Sequence, residues 1–304
     1  MRLYAETLNL LEKHFHTHRM KTILEQRDFQ VVPACRAKSA MGLIVRSNAL
    51  IALVFLSLSP VLQAQTITYT TINPPGSYST DLVGVSGDNV VGLYNASNGQ
   101  SPNFICFIYN NGTYTTIDPP GSTATRAVGV SGDSVAGYYI DSSNTTHGFL
   151  YNNGTYVTID PPGTFGTNPA AVAGTKVVGS YADSSYTVHG FLFDGNTYTI
   201  LNDPLAYNYG YFGTFPVCIS GNNVYGSYAD SNYISHGFLF NNGTYTTLDP
   251  PSSIATTIMA VSGNNVAGYY LDDGNVYHGF LYDGHTYTIL NDPFAGNTYG
   301  LGKR

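Results

Sequence analysis

The chain has 304 residues, with 12 Lys or Arg against 19 Asp or Glu and a formal net charge of −7. From Gln65 onward only four residues are basic, while aspartate occurs fifteen times and glutamate not at all. A surface so poor in cations cannot neutralise phosphate groups, which excludes nucleic acid as a partner and disfavours attraction to an anionic membrane surface.

The N-terminal part of the chain has the pattern of an export signal behind an extra leader. An apolar run over 49–59 follows Arg46, and a proline and small residues then suit cleavage. The run is too short to span a bilayer. Residues 41–64 are therefore predicted to be a cleaved signal peptide, with no membrane insertion afterwards and a secreted, periplasmic or cell-envelope location. Residues 1–40 are an upstream extension or a start assigned too early, with an N-terminal helix packed on the following domain as the alternative.

Two short phrases recur after residue 65 with a period of about 42 residues. Thr-Tyr-Thr is followed by an aliphatic residue and a proline turn, and His-Gly-Phe-Leu keeps the same spacing. A period in the low forties, with four strand-like segments per repeat, is typical of β-propeller blades. The sequence therefore predicts a single all-β domain over 65–304, a β-propeller of about five four-stranded blades. The tyrosines of the first phrase are Tyr69, Tyr114, Tyr156, Tyr198, Tyr245 and Tyr287, and the histidines of the second are His147, His189, His236 and His278.

One repeat shows how the four strands are predicted. The segments 127–131, 135–140, 147–151 and 155–159 alternate with Gly-Asp and Asn-Gly turns, which supply the positive φ angles that tight hairpins require. Asp-Pro-Pro-Gly ends the unit because proline cannot continue a ladder inside a sheet. The repeats are placed at approximately 66–110, 111–152, 153–194, 195–241 and 242–283, with a final strand at 284–292.

The strand count gives one strand more than five blades require. Residues 67–72 and 286–290 both match the fourth strand of a blade, so one copy is surplus. Three explanations stay open: a truncated sixth blade, a fifth strand on one blade, or an edge strand through which the protein self-associates.

Within each repeat, Ser-Gly-Asp/Asn-x-Val-x-Gly-x-Tyr is followed by His-Gly-Phe-Leu-Tyr, over roughly 66–292. This pattern resembles the HAF-type repeats of exported bacterial proteins, whose hallmark is His-Ala-Phe followed by an aromatic residue and a glycine turn. Here glycine replaces the alanine, and tyrosine or phenylalanine replaces the usual tryptophan. The resemblance implies an exported bacterial repeat protein, and it implies no reaction.

The repeated histidines are interpreted as structural residues. Neighbouring strands lie about 4.8 Å apart, so third-strand residues of different blades diverge from one another and cannot share one ion. Each histidine is predicted to tie the start of its strand to a loop through a hydrogen bond. The aspartates before the proline turns are interpreted likewise, and Asp272 lacks the closing carboxylate of a calcium loop. No metal site, no cofactor and no catalytic residue is predicted.

The longer connections, after the second and fourth strands, emerge on one side of the blades, and variable loops on a rigid scaffold often carry binding. The connection that contains 205–215 is five residues longer than its neighbours. Its aromatic rings suit stacking on sugar rings or on a partner's apolar surface, with a small satellite core as the alternative. Arg126, on an innermost strand, is predicted either to bind a carboxylate or to pair with a loop aspartate. The candidate ligand-binding residues are Tyr207, Tyr209, Tyr211, Phe212, Phe215 and Arg126.

These features favour an exported, non-catalytic binding or scaffold module whose partner is a glycan or a cell-surface protein. A polysaccharide lyase or hydrolase is the first alternative. The sequence has no unique carboxylate pair, nucleophile motif or phosphate loop for it. Such an enzyme would have to use residues that break the repeat, for example Arg126, Lys176 or His285. A self-assembling surface structural protein is the second alternative.

Overall fold

A computed structural model describes residues 69–96 and 104–291. They form twenty strands in five antiparallel sheets, each with four strands in chain order. Blade 1 contains Ser79–Ser86 (β1), Asn89–Asn95 (β2), Phe104–Asn110 (β3) and Thr113–Ile117 (β4). Blade 2 contains Ser122–Ser131 (β5), Ser134–Asp141 (β6), Thr146–Asn152 (β7) and Thr155–Ile159 (β8). Blade 3 contains Thr164–Ala173 (β9), Lys176–Asp183 (β10), Val188–Phe193 (β11) and Tyr198–Leu201 (β12). Blade 4 contains Thr214–Ser220 (β13), Asn223–Ala229 (β14), Ser235–Asn241 (β15) and Thr244–Thr247 (β16). Blade 5 contains Ser253–Ser262 (β17), Asn265–Asp272 (β18), Tyr277–Tyr282 (β19) and Tyr287–Leu290 (β20).

The prediction of an all-β β-propeller with about five four-stranded blades is confirmed. The predicted upstream extension (1–40) and signal peptide (41–64) lie outside the described residues. In the described ranges no helix is long and apolar enough to cross a membrane.

The tight turns explain why each blade is a simple meander. Between β3 and β4, Asn111 has a φ of 45° and Gly112 a φ of 88°. Two consecutive positive φ angles define the hairpin turn whose twist matches that of the flanking strands. The turns between β7 and β8 and between β15 and β16 have the same Asn-Gly pair. The hairpins therefore follow directly from the repeated Asn-Asn-Gly-Thr of the sequence.

The surplus strand copy is the N-terminal one. β20 completes blade 5, and the described residues of the first copy, 69–72, belong to none of the twenty strands. No sheet in the described part of the chain has a fifth strand. Each sheet begins with its innermost strand and ends with its own Thr-Tyr-Thr strand, so the predicted repeats such as 111–152 are offset from the blades by one strand.

Consecutive blades pack through apolar clusters that each join two neighbouring sheets. The first strand of every blade from the second onward packs across the preceding blade. Four such clusters occur among the described residues, between blades 1 and 2, 2 and 3, 3 and 4, and 4 and 5. Cys106 is buried in the first of them, and burial raises the pKa of its thiol to about 12. Cys218 is half-buried at the fourth, and both thiols are free.

Candidate functional site

The aromatic insertion between β12 and β13 is held by backbone contacts at both of its ends. The amide of Tyr207 donates to the carbonyl of Ala229, at the end of β14, over 2.7 Å. Gly213 forms an isolated parallel bridge with Val188 at the start of β11, where any Cβ would collide with the Val188 carbonyl. Asp203 lies buried at the start of the insertion, and burial raises the pKa of its carboxyl. The insertion is therefore fixed to both blade 3 and blade 4.

Three rings of the insertion and one ring of the β14–β15 loop form a cluster, named here the aromatic platform: Tyr207, Tyr209, Phe212 and Tyr233. The centroid of Tyr207 lies 6.0 Å from that of Tyr209 and 5.7 Å from that of Tyr233. Phe212 lies 6.3 Å from Tyr207 and 4.6 Å from Tyr233. Tyr209 is 70% exposed and Tyr233 is 61% exposed, whereas the other two rings are half-buried. Two supporting rings thus hold two rings that face solvent.

The other predicted candidates lie apart from this cluster. Tyr211 is exposed in the same insertion, and no described ring contact joins it to the platform. Phe215 lies half-buried on the innermost strand β13, paired with Ser227. Arg126 lies on β5 of blade 2, with its guanidinium carbon 4.6 Å from the centroid of Phe104, a cation–π contact. The structure therefore brings together three of the six predicted ligand-binding residues.

The sequence reasoning missed Tyr233, whose backbone conformation is unusual for a tyrosine. Its φ is 64°, and the matching turn positions in the other blades are Asn144 at 64°, Tyr186 at 62° and Asn275 at 59°. In all four turns this residue donates its amide to the carbonyl of the aspartate three positions earlier. Asparagine enters the left-handed region readily, whereas for a bulky residue it costs about 1 kcal/mol or more. A tyrosine at a turn position where blades 2 and 5 have asparagine is the signal that could have found it.

Blade 3 has a smaller copy of the same arrangement. The centroids of Phe165 and Tyr186 lie 5.3 Å apart, and the two side chains are 56% and 43% exposed. Phe165 lies three residues before the strand position that Asn168 occupies, as Phe212 does before Phe215. Ring pairs therefore occur at equivalent positions on two neighbouring blades, Phe165 with Tyr186 and Phe212 with Tyr233. The matching pairs in blades 2 and 5 are not aromatic: Thr123 with Asn144, and Ile254 with Asn275.

Each repeated histidine bridges two connections of its own blade. In blade 2, Nδ1 of His147 lies 2.6 Å from Oδ2 of Asp160, and Nε2 lies 3.4 Å from Oδ2 of Asp141. The ring also stacks on Tyr139 of β6, with centroids 5.1 Å apart. Both nitrogens are thus engaged within the blade, which supports a structural role. The equivalent partners are Asn202 and Asp183 for His189, Asp249 and Asp230 for His236, and Asn291 and Asp272 for His278.

The loop aspartates that contact these histidines are engaged inside their own turns. Oδ1 of Asp141 accepts the amides of Ser143 and Thr145, both at 2.8 Å. Backbone hydrogen bonds of this kind lower the pKa of Asp141 and Asp230, and the hydrogen bond to histidine is the first cause for Asp183 and Asp272. No group of three or more His, Cys, Asp or Glu that could hold a metal ion occurs in residues 69–96 and 104–291.

These contacts predict how stability depends on pH. Burial opposes the charged form of His147, but hydrogen bonds and charge from Asp160 and Asp141 raise its pKa. The hydrogen bond to Asp272 raises that of His278. A raised histidine pKa stabilises the fold below the unfolded value of about 6.5, and this contribution is lost as pH rises through the folded pKa. The lowered aspartate pKa values stabilise the fold above about 3.9, and this contribution is lost on further acidification.

Thermal unfolding measured from pH 3 to pH 9 is therefore expected to give the highest midpoint at about pH 4.5–6. The double variant His147→Gln, His278→Gln is expected to flatten the decline between pH 6 and pH 8. It is expected to weaken the acid limb only in part, because backbone hydrogen bonds are the first cause of the lowered pKa of Asp141 and Asp230, whereas His278 is the first cause for Asp272. An unchanged decline above pH 6 in that variant would contradict this assignment.

A separate cavity of about 340 Å³ lies between blades 3 and 4 on the side of the tight turns, and Lys176, Ile219 and Phe240 are among its lining residues. Nζ of Lys176 lies 2.8 Å from Oδ1 of Asn222 and donates to it.

The residues considered for an enzyme are not brought together. Arg126 belongs to blade 2, Lys176 to blade 3 and His285 to the β19–β20 turn of blade 5, and no contact described for residues 69–96 and 104–291 joins them.

Comparison with known proteins shows similarity in fold only. No protein-family model matches the chain, and no curated protein matches its sequence. Among solved structures, the Aleuria aurantia lectin, described as a six-bladed β-propeller with a fucose recognition mode, is similar at 12% identity. That match covers 70% of this chain and 76% of the lectin, with a TM-score of 0.40. The acylaminoacyl peptidase of Pyrococcus horikoshii is similar at 11% identity, over 69% of this chain and 39% of the peptidase, with a TM-score of 0.46. Likenesses this distant carry no argument about binding or catalysis.

Proposed function

We propose that this protein is an exported, non-catalytic binding module that recognises carbohydrate through the aromatic platform. The observation that carries the proposal is the exposure of Tyr209 and Tyr233 on a rigid base of two other rings. The ring of Tyr233 is held there by a backbone conformation that asparagine adopts with less strain. Strain retained at an exposed position supports a role outside folding.

Carbohydrate fits this surface better than a charged ligand does. The carboxylate of the nearby loop residue Asp230 accepts the backbone amides of Asn232 and Ile234 through Oδ1, and its Oδ2 lies 3.7 Å from Nε2 of His236. What the surface offers is flat, amphipathic rings with hydroxyl groups at their edges, and such rings stack on the apolar faces of sugars while bonding to their hydroxyls. The ring pairs on blades 3 and 4 repeat at equivalent positions, so a polymer can engage both and gain avidity that a single sugar cannot. A neutral polysaccharide is therefore the proposed ligand.

Native electrophoresis through gels cast with different soluble polysaccharides tests the proposal. The purified protein is expected to be retarded by at least one neutral polymer. In the double variant Tyr209→Ala, Tyr233→Asn, affinity is expected to fall roughly tenfold or more, because each aromatic contact contributes about 0.5–1.5 kcal/mol beyond buried area. The variant is expected to stay folded, since Tyr209 is exposed and asparagine suits the turn.

Tyr277→Ala is the matched control, because Tyr277 is also exposed but lies on blade 5, away from the platform. It is expected to migrate like the parent protein in every gel. Unretarded migration of the parent protein through all polymers would contradict carbohydrate binding. A cleared zone in the gel would show that the polymer is cleaved, and the protein would then be an enzyme.

A further inference from the structure

The four internal blade interfaces share one pattern of contacts. Each interface buries the last residue of a fourth strand, or in blade 4 the residue directly after that strand, against the following blade. It also buries one residue of the first strand of that following blade. The fourth-strand residues are Ile117, Ile159, Leu201 and Leu248, and the first-strand residues are Ala127, Pro169, Pro216 and Ile258.

The first-strand residue fills a hollow in the preceding blade. A Cβ added to Gly190 would lie 2.9 Å from Pro216, and one added to Gly237 would lie 3.0 Å from Ile258. Gly148 faces Pro169 in the same way. Blade 1 has the larger Cys106 at the glycine position, and the facing residue there is the small Ala127. The volumes of the two sides therefore compensate, as close packing requires.

Within residues 69–96 and 104–291, the two terminal faces of the stack carry the same positions without a partner. In blade 5, Leu290 is 53% exposed, and a Cβ added to Gly279 would meet only atoms of Leu290. In blade 1, Leu82 occupies the first-strand position and is 56% exposed, with Val85 also exposed. Blade 5 thus ends in an open glycine hollow, and blade 1 begins with a large side chain that matches such a hollow.

We propose that blade 5 of one copy packs on blade 1 of a second copy, head to tail. The contact would reproduce the interface between blades 4 and 5, with Leu82 of the second copy in the hollow of Gly279, as Ile258 lies in that of Gly237. A second copy is the occupant whose complementarity is already present in the chain.

This contact joins two different surfaces, so it leaves one face of each kind free. Head-to-tail contacts of this type build either a closed ring or an open spiral of copies. The surface is a sheet face, which distinguishes it from the edge-strand route that the surplus copy at 67–72 suggests. It is also independent of the aromatic platform, which lies at the loops of blades 3 and 4.

Sedimentation of the full chain over a hundredfold range of concentration tests the proposal. The average mass is expected to rise with concentration to at least twice that of the monomer. Leu82→Asp and Leu290→Asp are each expected to remain monomeric, because each places a charge in the contact while altering an exposed side chain. Val157→Asp changes an exposed valine on the outer strand of blade 2, and it is expected to associate like the parent chain.

Mixing the two monomeric variants distinguishes a head-to-tail contact from other modes. Leu82→Asp keeps an intact blade 5, and Leu290→Asp keeps an intact blade 1. An equimolar mixture is therefore expected to form a 1:1 dimer and to stop at two copies. A parent chain that stays monomeric throughout, as it would if its own blades 5 and 1 closed on each other, overturns the proposal. A mixture that remains monomeric overturns it as well.

Discussion

Truncating Leu201 to alanine is expected to lower the free energy of unfolding by about 2–5 kcal/mol, whereas the same truncation of Leu290 is expected to lower it by less than about 1 kcal/mol. The two leucines occupy the same position at the end of a fourth strand. Leu201 is fully buried with Val178, Val224 and Phe238 between blades 3 and 4, so truncation leaves a cavity. Leu290 faces solvent at the end of the stack, so truncation removes little buried area.

Chemical denaturation of both variants and of the parent protein measures this difference. The measurement is made at low micromolar protein concentration, where association between copies contributes least to the free energy of unfolding. Ile159→Ala serves as a second buried control, because Ile159 is equally buried between blades 2 and 3. A loss for Leu290→Ala as large as that for Leu201→Ala would mean that the face of blade 5 is covered in the monomer.

Replacing Gly179 by alanine is expected to destabilise the protein by about 2–3 kcal/mol or more, since it forces extra atoms into a packed interior. An added Cβ would lie 2.7 Å from Cα of Pro169 and 3.0 Å from the carbonyl carbon of Asn168, and it would also collide with the carbonyl oxygen of Asn168. All of these are backbone atoms of the innermost strand β9, which cannot move as a side chain can. The register of β9 and β10 shifts beside this glycine, so the two backbones approach closely there.

Gly166→Ala is the matched control for this prediction, because Gly166 lies in β9, the strand that pairs with the strand of Gly179. The nearest atom to an added Cβ there is the carbonyl oxygen of Thr146, at 3.8 Å, which is an ordinary contact. This variant is expected to change the free energy of unfolding by no more than about 0.5 kcal/mol. Equal losses for the two glycines in chemical denaturation would show that close backbone approach is not the reason for glycine at position 179.

The histidines show what the local sequence pattern predicts and what it does not. Their fixed phase indicates that each ties a strand to a loop, and the structure gives each ring two partners, one in each flanking connection. The sequence does not show that the partner after the fourth strand alternates between aspartate and asparagine, as in Asp160 and Asn202. That identity depends on which residue the end of the strand places beside the ring. The identity of this partner is decided by the register between strands, not by the His-Gly-Phe-Leu motif itself.

The aromatic platform is a feature that the local sequence pattern predicts only in part. A cluster of rings in the insertion is visible in the sequence, but Tyr233 lies in another loop, and its place beside Phe212 depends on how two connections fold over one blade. Tyr211 and Phe215 are close to the platform in sequence, yet no described ring contact joins them to it. One has its side chain in solvent, and the other lies on the innermost strand. Proximity along a loop therefore did not determine which rings come together.

The sequence by itself determined the strands, the hairpin turns and the four-stranded unit, and it left open whether the surplus strand belongs to a truncated sixth blade. These features depend on residues a few positions apart: Asn-Gly pairs select the turn, alternating residues form the pleat, and proline ends the ladder. Only the tertiary structure decided that Leu82 and Leu290 face solvent while their counterparts in other blades are buried. The residues at those positions are apolar in every repeat. Burial depends on whether another sheet lies against that face, and no short-range pattern carries that information.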